Sequence, residues 1–572
     1  MDSPVKPEND SWGGFRPGRI RSTLRPPLPD RQAMTQFLSR EAWDARRRAI
    51  EARPLPASMA AMVDDAAARW DDKPALAFFE NETLSFEGLR RLVNRAANVL
   101  RDRGIGRGSR VAVVCPNLPA VPALWLALAR LGAAIVWVNI RYTPRELTFV
   151  LADSRPDLLV IHADLLAGYE AIGEAAARLD PARILTLGGR TAHDDLDALL
   201  ARASEDFAPA WATSPDDIVN INYTSGTTGF PKGCMLPQRY WQVFGAAKEP
   251  GFPEFPKNTI YNQNLFYIDG PMFLAMTLHT GATMHIMPRP SLTGILERMR
   301  DLKIDYCYFF EALMKQAESP AERAAGLKLV HIFGLTPALH PELERRFGCV
   351  AREAFGMTET GAALMMPYEA ADMVGSGSVG WPVAHRQASV RDPDFNPLGE
   401  GETGELWVRG PGMMTGYWNR PEANAESFRD GWLRTGDLFR ADDRGYLTLV
   451  GRLKDMIRRN AENIAVREVE SALRGIAGIA EVAVVGVPDE RVGEEVKVYL
   501  QLADGVTRDQ MTPERFLEAA RAELAPFKLP RYVAYVQAFP KTESDRVEKK
   551  KLTAGVADLR ADAFDRIEGV WR

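Results

Sequence analysis

The run from Tyr223 to Gly233 contains the residue types that bind a phosphate chain. It reads Tyr-Thr-Ser-Gly-Thr-Thr-Gly-Phe-Pro-Lys-Gly. Gly226 and Gly229 let the backbone turn tightly and bring its N–H groups close to an anion. Lys232 adds a mobile positive charge, and hydroxyl donors come from Thr224, Ser225, Thr227 and Thr228. The run predicts a triphosphate-binding loop, although its spacing differs from that of the G-x-x-x-x-G-K-S/T loop.

Three further runs follow this loop, and each carries residues suited to a nucleotide. Phe355-Gly-Met-Thr-Glu-Thr360 brings an aromatic ring, a hydroxyl and a carboxylate close together. Thr435-Gly-Asp437 supplies a carboxylate that can accept from both hydroxyls of a ribose. Gly451-Arg452-Leu-Lys454-Asp455 supplies an arginine that can donate to the same sugar. Their order along the chain favours one nucleotide site built from all four runs.

These runs resemble those of the AMP-forming adenylating superfamily, which includes acyl-CoA synthetases, firefly-type luciferases and peptide-synthetase adenylation domains. The resemblance extends over roughly residues 50 to 555. It implies that Phe355 lies beside adenine, that Thr358 meets the α-phosphate and that Glu359 holds Mg²⁺. One glutamate is enough, because Mg²⁺ takes its remaining ligands from phosphates and water. The implied cofactors are ATP (as AMP in an acyl-adenylate), CoA and Mg²⁺.

The resemblance also implies a mobile C-terminal domain that serves two half-reactions. An acid and ATP first give acyl-adenylate and pyrophosphate, and a thiol then attacks the adenylate after the domain has swung. Lys454 matches the hinge, and hinges absorb backbone rotation at a few residues. Arg458 and Asn463 belong to the segment that then faces the site. Ala461 stands where many relatives carry a glycine beside the pantetheine arm of CoA.

One departure from the family pattern lies near the C-terminus. The family reads Pro-x-x-x-x-Gly-Lys, and this chain has Asp545 and Arg546 in place of the glycine and the lysine. An arginine keeps the charge but is longer, planar and fork-shaped, so the exchange is not conservative where geometry is tight. Positioning carries most of phosphoryl-transfer catalysis. We therefore predict impaired adenylation and persisting thioesterification, with a separate enzyme supplying the adenylate.

Three alternatives stay open. Arg546 can replace the lysine in a complete acid–CoA ligase, or one of Lys549, Lys550 and Lys551 can do so. The chain can also be a non-catalytic adenylate-binding protein, although Lys232, Glu359 and Asp437 argue against a scaffold. A luciferase-like oxidase is a further alternative that no residue marks.

The acyl pocket is expected around Gly334, around Gly380 and Trp381, and along the segment 264–270. Tyr267 stands where relatives often have a histidine. Aromatic residues in these regions suggest a bulky or apolar acid, and they are Phe266, Tyr267, Phe309, Phe310 and Trp381. No aspartate was evident in the usual position for binding an α-amino group, which disfavours amino-acid activation.

The composition excludes several other classes of protein. With 572 residues, the chain predicts two or more domains, and 46% apolar and 26% charged residues fit a soluble globular protein. The net charge of −5 does not suggest a nucleic-acid partner. Four scattered cysteines predict small buried side chains in a reduced, cytoplasmic setting, and seven histidines show no metal spacing. The oligomeric state is left open, with a homodimer as one outcome.

The order of hydrophobic patterns predicts the fold class and the domains. Residues 1–40 are rich in Pro, Arg and Gly and read as an extended or partly disordered arm without a signal peptide. Residues 41–450 alternate between strand and helix patterns, which favours an α/β domain of helix-covered parallel sheets. The segment 404–409 reads as one strand of a smaller β subdomain. Residues 451–455 form the hinge, and 456–572 form a small α+β domain. The apolar stretch 121–140 contains Arg130 and predicts a buried helix and strand rather than a membrane span.

Overall fold

The computed structural model describes residues 38–78, 82–172, 177–224, 231–453, 456–459, 462–524, 526–541 and 546–572. Most of the predicted arm over residues 1–40 lies outside this part of the chain, and a helix begins at Arg40. Several helices start at a side chain that accepts a backbone N–H, as helix N-termini require; these N-cap residues include Ser39, Ser58, Ser85 and Thr143. The α-helices are α1 (Arg40–Glu51), α2 (Met59–Trp70), α3 (Phe86–Asp102), α4 (Ala120–Leu131), α5 (Pro144–Ser154), α6 (Leu166–Glu170), α7 (Leu196–Arg202), α8 (Gln238–Ala247), α9 (Asp269–Thr280), α10 (Ile295–Asp301), α11 (Pro320–Ala324), α12 (Leu339–Phe347), α13 (Pro421–Ser427), α14 (Val466–Arg474), α15 (Pro513–Glu523) and α16 (Lys549–Thr553).

The strands alternate with these helices through most of the chain. They are β1 (Pro74–Phe78), β2 (Glu82–Ser85), β3 (Arg110–Val114), β4 (Ala134–Trp137), β5 (Leu158–His162), β6 (Ile184–Leu187), β7 (Asp194–Asp195), β8 (Ile218–Thr224), β9 (Lys232–Pro237), β10 (Asn258–Tyr261), β11 (Thr283–Ile286), β12 (Tyr306–Tyr308), β13 (Leu329–Ile332), β14 (Val350–Met357), β15 (Gly361–Met365), β16 (Ser378–Pro382), β17 (Gln387–Arg391), β18 (Thr403–Arg409), β19 (Gly416–Tyr417), β20 (Phe428–Arg429), β21 (Trp432–Ala441), β22 (Leu447–Arg452), β23 (Met456–Arg459), β24 (Glu462–Ala465), β25 (Ile479–Asp489), β26 (Gly493–Leu502), β27 (Tyr532–Tyr535), β28 (Phe564–Asp565) and β29 (Val570–Trp571).

Two large sheets carry the first 452 residues. One has the strand order β19-β9-β8-β4-β3-β5-β6-β7, and the other runs β17-β18-β21-β22-β16-β15-β14-β13-β12-β10-β11-β1-β2, with β20 paired to β21. Strands β10 to β13 pair in parallel, and so do β3 to β6. Parallel strands need helical crossovers, which cover both faces of these sheets. The mixed α/β fold class is thereby confirmed.

The predicted β subdomain continues the second sheet. Strand β14 pairs in parallel with β13 and antiparallel with β15, so the sheet changes from parallel to antiparallel at that strand. Strand β18, which contains the predicted strand at 404–409, lies in the antiparallel part between β17 and β21. The β subdomain is therefore hydrogen-bonded to the parallel sheet rather than separated from it.

A third sheet contains only strands from residue 456 onward. Its order is β24-β23-β26-β27-β28-β29, with β25 paired to β26. Its own hydrophobic core includes Ile464, Val469, Val498 and Phe516. Helices α14 and α15 and strands β25, β26 and β27 all lie within the predicted α+β region 456–572. A small C-terminal domain with a separate sheet is thus confirmed.

Buried side chains position the strand that leads into the phosphate loop. Asn220 lies in the middle of β8 and is fully buried. Its Oδ1 accepts hydrogen bonds from the indole N–H groups of Trp125 and Trp241, at 2.7 and 2.9 Å. A buried amide oxygen that accepts two hydrogen bonds holds the register of the strand, because a shift of the strand would break these bonds and leave buried polar atoms unsatisfied.

Two findings concern the other expectations from composition. The four cysteines are free and buried, as predicted for small core side chains: Cys115, Cys234, Cys307 and Cys349. Within the described ranges, we find no helix long and apolar enough to cross a membrane. The stretch 121–140 instead forms most of α4 and all of β4.

Candidate active site

The phosphate loop is held at both ends by one antiparallel strand pair. Thr224 ends β8, Lys232 begins β9, and the two residues are cross-strand partners. The Thr224 hydroxyl also donates to the Lys232 carbonyl at 3.4 Å. Ser225, Gly226, Thr227, Thr228 and Gly229 lie outside the described residues. The two residues that border the loop therefore lie side by side.

Tyr417 joins the loop lysine to the predicted metal ligand. The Lys232 ammonium lies 5.1 Å from the centre of the Tyr417 ring, which is cation–π distance. The Tyr417 hydroxyl donates to Oε1 of Glu359 at 2.9 Å. Burial raises the pKa of Tyr417, and the adjacent carboxylate of Glu359 raises it further, so the phenol stays protonated and able to donate. Tyr417 reaches this position because β19 pairs with β9.

Glu359 is suited to bind a magnesium ion. Its side chain is buried and follows the end of β14. Within the described ranges, no group of three or more His, Cys, Asp and Glu side chains could hold a metal ion. A single carboxylate still fits Mg²⁺, which takes its other ligands from phosphate oxygens and water. When bound, the ion would neutralise phosphate charge, and Glu359 would hold it.

The other residues of the second run surround the same end of β14. Phe355 is half-buried, and its ring packs nearly perpendicular to Phe439 at 5.0 Å. Thr358 is half-buried one residue before Glu359. A partly accessible ring and hydroxyl beside the carboxylate agree with a nucleotide lying along this edge.

The predicted ribose ligands are cross-strand partners. Asp437 on β21 and Arg452 on β22 are paired in register, and Arg452 Nε donates to Asp437 Oδ1 at 3.1 Å. Asp437 is 4% exposed, whereas the Arg452 side chain is 61% exposed. Burial raises the pKa of Asp437, and the charge of Arg452 opposes that shift. The carboxylate keeps an oxygen for a ribose hydroxyl, and Arg452 can turn toward a ligand.

Arg467 of the small domain reaches the large domain beside Gly334. Gly334 has φ +75°, and a Cβ placed there would lie 2.8 Å from the Arg467 guanidinium. The Gly334 N–H donates to Oε2 of Glu353 at 3.1 Å. Burial raises the pKa of Glu353 to about 7, and the Gly334 N–H and the charge of Arg467 oppose that shift. The charge of Arg467 also acts on Asp437. Arg467 thus lies where the two domains and the nucleotide residues meet.

The acyl-pocket residues divide into two groups. Phe266 and Tyr267 pack together at 4.6 Å, just before α9. Gly380 and Trp381 are successive residues of β16. Trp381 stacks on Tyr446 at 4.2 Å and is 1% exposed in a core cluster that includes Trp43, whereas Tyr267 packs against a different cluster. This packing is that of a core residue, and a place in the acyl pocket stays a prediction for Trp381.

Gly380 itself permits a close backbone approach. It has φ +88°, and a Cβ there would lie 2.1 Å from the Met365 carbonyl oxygen. Phe309 packs on Phe347 at 5.0 Å, and both Phe309 and Phe310 are half-buried beside the cluster around Met299 and Leu343. They follow β12 directly, which brings them near the loop at Gly334.

The charge of Arg546 acts on a carboxyl of the large domain. Burial raises the pKa of Asp269, the first residue of α9, and the charges of Lys248 and then Arg546 oppose that shift. The charge of Arg546 also acts on Arg467. Arg458 and Asn463 are backbone partners in β23 and β24. Lys454, Ala461 and Asp545 lie outside the described residues.

Sequence reasoning missed several residues of this region. Tyr417 and Arg467 lie outside the conspicuous runs, and Lys248 and Tyr308 have ordinary neighbours in the sequence. Asp269 lies within the segment 264–270 predicted for the acyl pocket, although no role is predicted for its carboxylate. Nothing in the local sequence indicates that Lys248 and Tyr308 meet, because they lie on different elements.

Comparisons with known proteins agree with this arrangement. Residues 63–418 match the AMP-binding enzyme family, and residues 468–546 match the AMP-binding enzyme C-terminal domain. A feruloyl-CoA synthase from Amycolatopsis sp is 33% identical over 82% of this chain and 92% of its own length. An indoleacetate–CoA ligase from Aromatoleum aromaticum is 31% identical over 85% of this chain and 95% of its own length.

A solved structure extends the likeness to the fold. ATP-bound MatB from Rhodopseudomonas palustris superposes with a TM-score of 0.79 at 28% identity, covering 88% of this chain and 99% of that chain. Because the family match spans more than half of the chain and the motifs occur in the family's order, the chain belongs to the AMP-binding enzyme family, the AMP-forming adenylating superfamily.

Proposed function

We propose that this chain is an AMP-forming acyl-CoA ligase that acts on a bulky or aromatic carboxylic acid through an acyl-adenylate. In the first step, a carboxylate oxygen attacks the α-phosphorus of ATP and pyrophosphate leaves. In the second, the CoA sulfur attacks the acyl carbon and AMP leaves. The contact of Lys232 and Glu359 through Tyr417 carries the proposal, because it joins the loop lysine to the metal ligand. Two relatives support it, because one is a feruloyl-CoA synthase and the other an indoleacetate–CoA ligase.

We further propose that thioesterification is the faster half-reaction. Arg546 and Asp545 stand where the family has lysine and glycine, and a guanidinium cannot take the compact position of an ammonium. Of the nearby lysines, Lys549 pairs with Glu470 at 2.7 Å and Lys551 with Glu548 at 2.7 Å, both within the small domain. Those pairs argue against either lysine as a substitute, so a separate enzyme would supply the adenylate.

A complete acid–CoA ligase is the second candidate, and one observation favours it. Burial raises the pKa of Asp269, and the charge of Lys248 and then that of Arg546 oppose the shift. A cation of the small domain is therefore present near the expected acyl site, and positioning is what this step needs.

A paired assay separates the two candidates. One arm supplies aromatic acids with ATP, Mg²⁺ and CoA, and the other supplies the matching synthetic acyl-adenylates with CoA. We expect thioester mainly from the adenylates and faster pyrophosphate release from Arg546→Lys, alone or with Asp545→Gly. Arg521→Lys, the same exchange on the exposed face of α15, is the control. Equal rates in both arms would favour the complete ligase, and AMP binding without thioester in either arm would favour an adenylate-binding protein.

A further inference from the structure

A lysine is buried against two aromatic rings, those of Tyr308 and Phe244. Lys248 follows α8 directly and is 5% exposed. Its ammonium lies 4.4 Å from the centre of the Tyr308 ring and 5.3 Å from that of Phe244. It also donates a hydrogen bond to the Tyr308 hydroxyl. A buried ammonium is costly unless it is paired, so its retention calls for an explanation.

The known partners do not satisfy this ammonium. An ammonium has three donors, and within the described part of the chain Lys248 Nζ makes one hydrogen bond, to Tyr308. Lys497 is a useful contrast, because this second buried lysine donates to the carbonyls of Leu559 and Ala561 at 2.8 and 2.9 Å. Lys497 has the partners of a structural lysine, whereas Lys248 keeps donors for another acceptor.

Exposure decreases from the nucleotide residues toward Lys248. Phe333 precedes Gly334 and is 45% exposed, which is unusual for a phenylalanine. Its ring contacts Tyr308 at 4.8 Å, and Tyr308 is half-buried. The ammonium of Lys248 contacts the same Tyr308 ring at 4.4 Å and is buried, and Asp269, on which the charge of Lys248 acts, is half-buried. Tyr308 therefore contacts both the exposed Phe333 and the buried Lys248.

A second polar atom near Lys248 also lacks a partner. His331 is fully buried, and its Nδ1 is 2.6 Å from the Tyr306 hydroxyl. Its Nε2 has no hydrogen-bond partner among the described residues. Burial lowers the pKa of His331, and the charge of Lys248 lowers it further. The neutral ring leaves Lys248 as the cation of this region.

We propose that Lys248, together with the Tyr308 hydroxyl, selects acids that carry an oxygen hydrogen-bond acceptor at the end remote from the reacting carboxylate. The proposal rests on the proposed function and names its substrate class: an aromatic acid with a remote hydroxyl or a second carboxylate. Burial lowers the pKa of Lys248 to about 7, and the carboxylate of Asp269 opposes that shift and favours the protonated lysine. A hydroxyl and a carboxylate share this acceptor chemistry, so the test must separate them.

Matched acids test the proposal in the full-length chain. Benzoate, 4-hydroxybenzoate and terephthalate form one series, and cinnamate, 4-hydroxycinnamate and 4-carboxycinnamate form a longer one. We expect kcat/KM for at least one acceptor-bearing acid to exceed that of its unsubstituted parent by about 10-fold or more, as for a charge-assisted hydrogen bond in a desolvated site. The better of the two substituents identifies the acceptor.

Substitution of the lysine assigns this preference. Lys248→Met should abolish the preference while the parent acid keeps its kcat/KM, and Tyr308→Phe should reduce the preference in part. The exposed Lys257→Met is the matched control. The proposal is overturned if Lys248→Met lowers kcat/KM for parent and substituted acids alike, if no acceptor-bearing acid is preferred, or if 4-aminobenzoate is preferred over 4-hydroxybenzoate.

A binding measurement keeps this test independent of turnover. Calorimetric titration of the same acids into protein saturated with AMP should show the same preference and its loss in Lys248→Met. If no acid forms a thioester but the binding preference appears, the proposed activity fails and the Lys248 site stands. If the parent acid is converted but neither preference appears, the activity stands and the Lys248 site fails.

Discussion

The Tyr417 hydroxyl donates to Oε1 of Glu359 at 2.9 Å, across 58 residues of sequence. The same ring lies 5.1 Å from the Lys232 ammonium. One side chain therefore orients the proposed magnesium ligand and contacts the proposed phosphate-binding lysine. This arrangement makes Tyr417 a positioning residue for both.

Removing only the hydroxyl of Tyr417 should weaken the use of magnesium. Tyr417→Phe keeps the ring beside Lys232 and loses the hydrogen bond to Glu359. A hydrogen bond to a charged group predicts a loss of roughly 10-fold or more in apparent Mg²⁺ affinity. Pyrophosphate release measured against Mg²⁺ concentration would show this as a shifted midpoint that high Mg²⁺ restores. An unshifted midpoint would mean that Glu359 does not hold the ion.

Neutralising Asp437 should weaken nucleotide binding and leave acid binding unchanged. Asp437→Asn removes the charged acceptor proposed for the ribose hydroxyls, so the dissociation constant of AMP should rise by roughly 10-fold or more. Direct titration of AMP measures it, and Asp443→Asn, on the exposed turn after the same strand, is the control. Wild-type AMP affinity in Asp437→Asn would place the ribose elsewhere.

The pKa of Glu353 predicts a pH-dependent stability. Burial raises this pKa to about 7 in the folded protein, above an unfolded value of about 4.3. Between these values the folded state binds more protons than the unfolded state, so the free energy of unfolding falls as pH rises through this range. Glu353→Gln should lack this pH-dependent loss of stability. When melting temperatures are measured between pH 5 and 8, the variant should gain on the wild type as pH rises and exceed it most clearly above pH 7. The exposed Glu400→Gln is the control and should show the pH dependence of the wild type.

The buried Lys248 predicts that stability also depends on pH in a range above that of Glu353, and with the opposite sign. Burial lowers its pKa to about 7, below an unfolded value of about 10.4. In this window the unfolded state binds more protons, so the stability of the wild type rises with pH. Lys248→Met lacks this contribution and should exceed the wild type in melting temperature most clearly at pH 7 or below. The excess should shrink toward pH 10, and a constant difference would contradict the lowered pKa.

Trp381 should contribute to stability rather than to substrate choice. It stacks on Tyr446 and donates its indole N–H to the Arg444 carbonyl at 3.2 Å. Trp381→Ala should cost about 3–5 kcal/mol of unfolding free energy, the usual range for a large buried aromatic residue. Urea unfolding measures the loss. The ratio of kcat/KM between matched acids should remain that of the wild type, and a changed ratio would place Trp381 in the acyl pocket.

The sequence by itself determined the family and the order of a large and a small domain, and it supplied the residues proposed for the nucleotide end of the site. Those residues lie in short contiguous runs, such as Thr224 to Lys232 and Phe355 to Glu359, where spacing along the chain already fixes which groups lie together. Regular alternation of apolar residues likewise predicted strands such as β3 and helices such as α14, because burial of one face requires that period.

Only the tertiary structure decided which distant side chains complete the site. Tyr417 meets Glu359 because β19 pairs with β9, and Lys248 meets Tyr308 because the end of α8 packs beside β12. Trp381 stacks on Tyr446 because β16 pairs with β22, which Tyr446 directly precedes. Local sequence sets the apolar period of a strand or helix. Contacts between elements far apart in the chain decide which face of that strand or helix is buried and which elements it packs against.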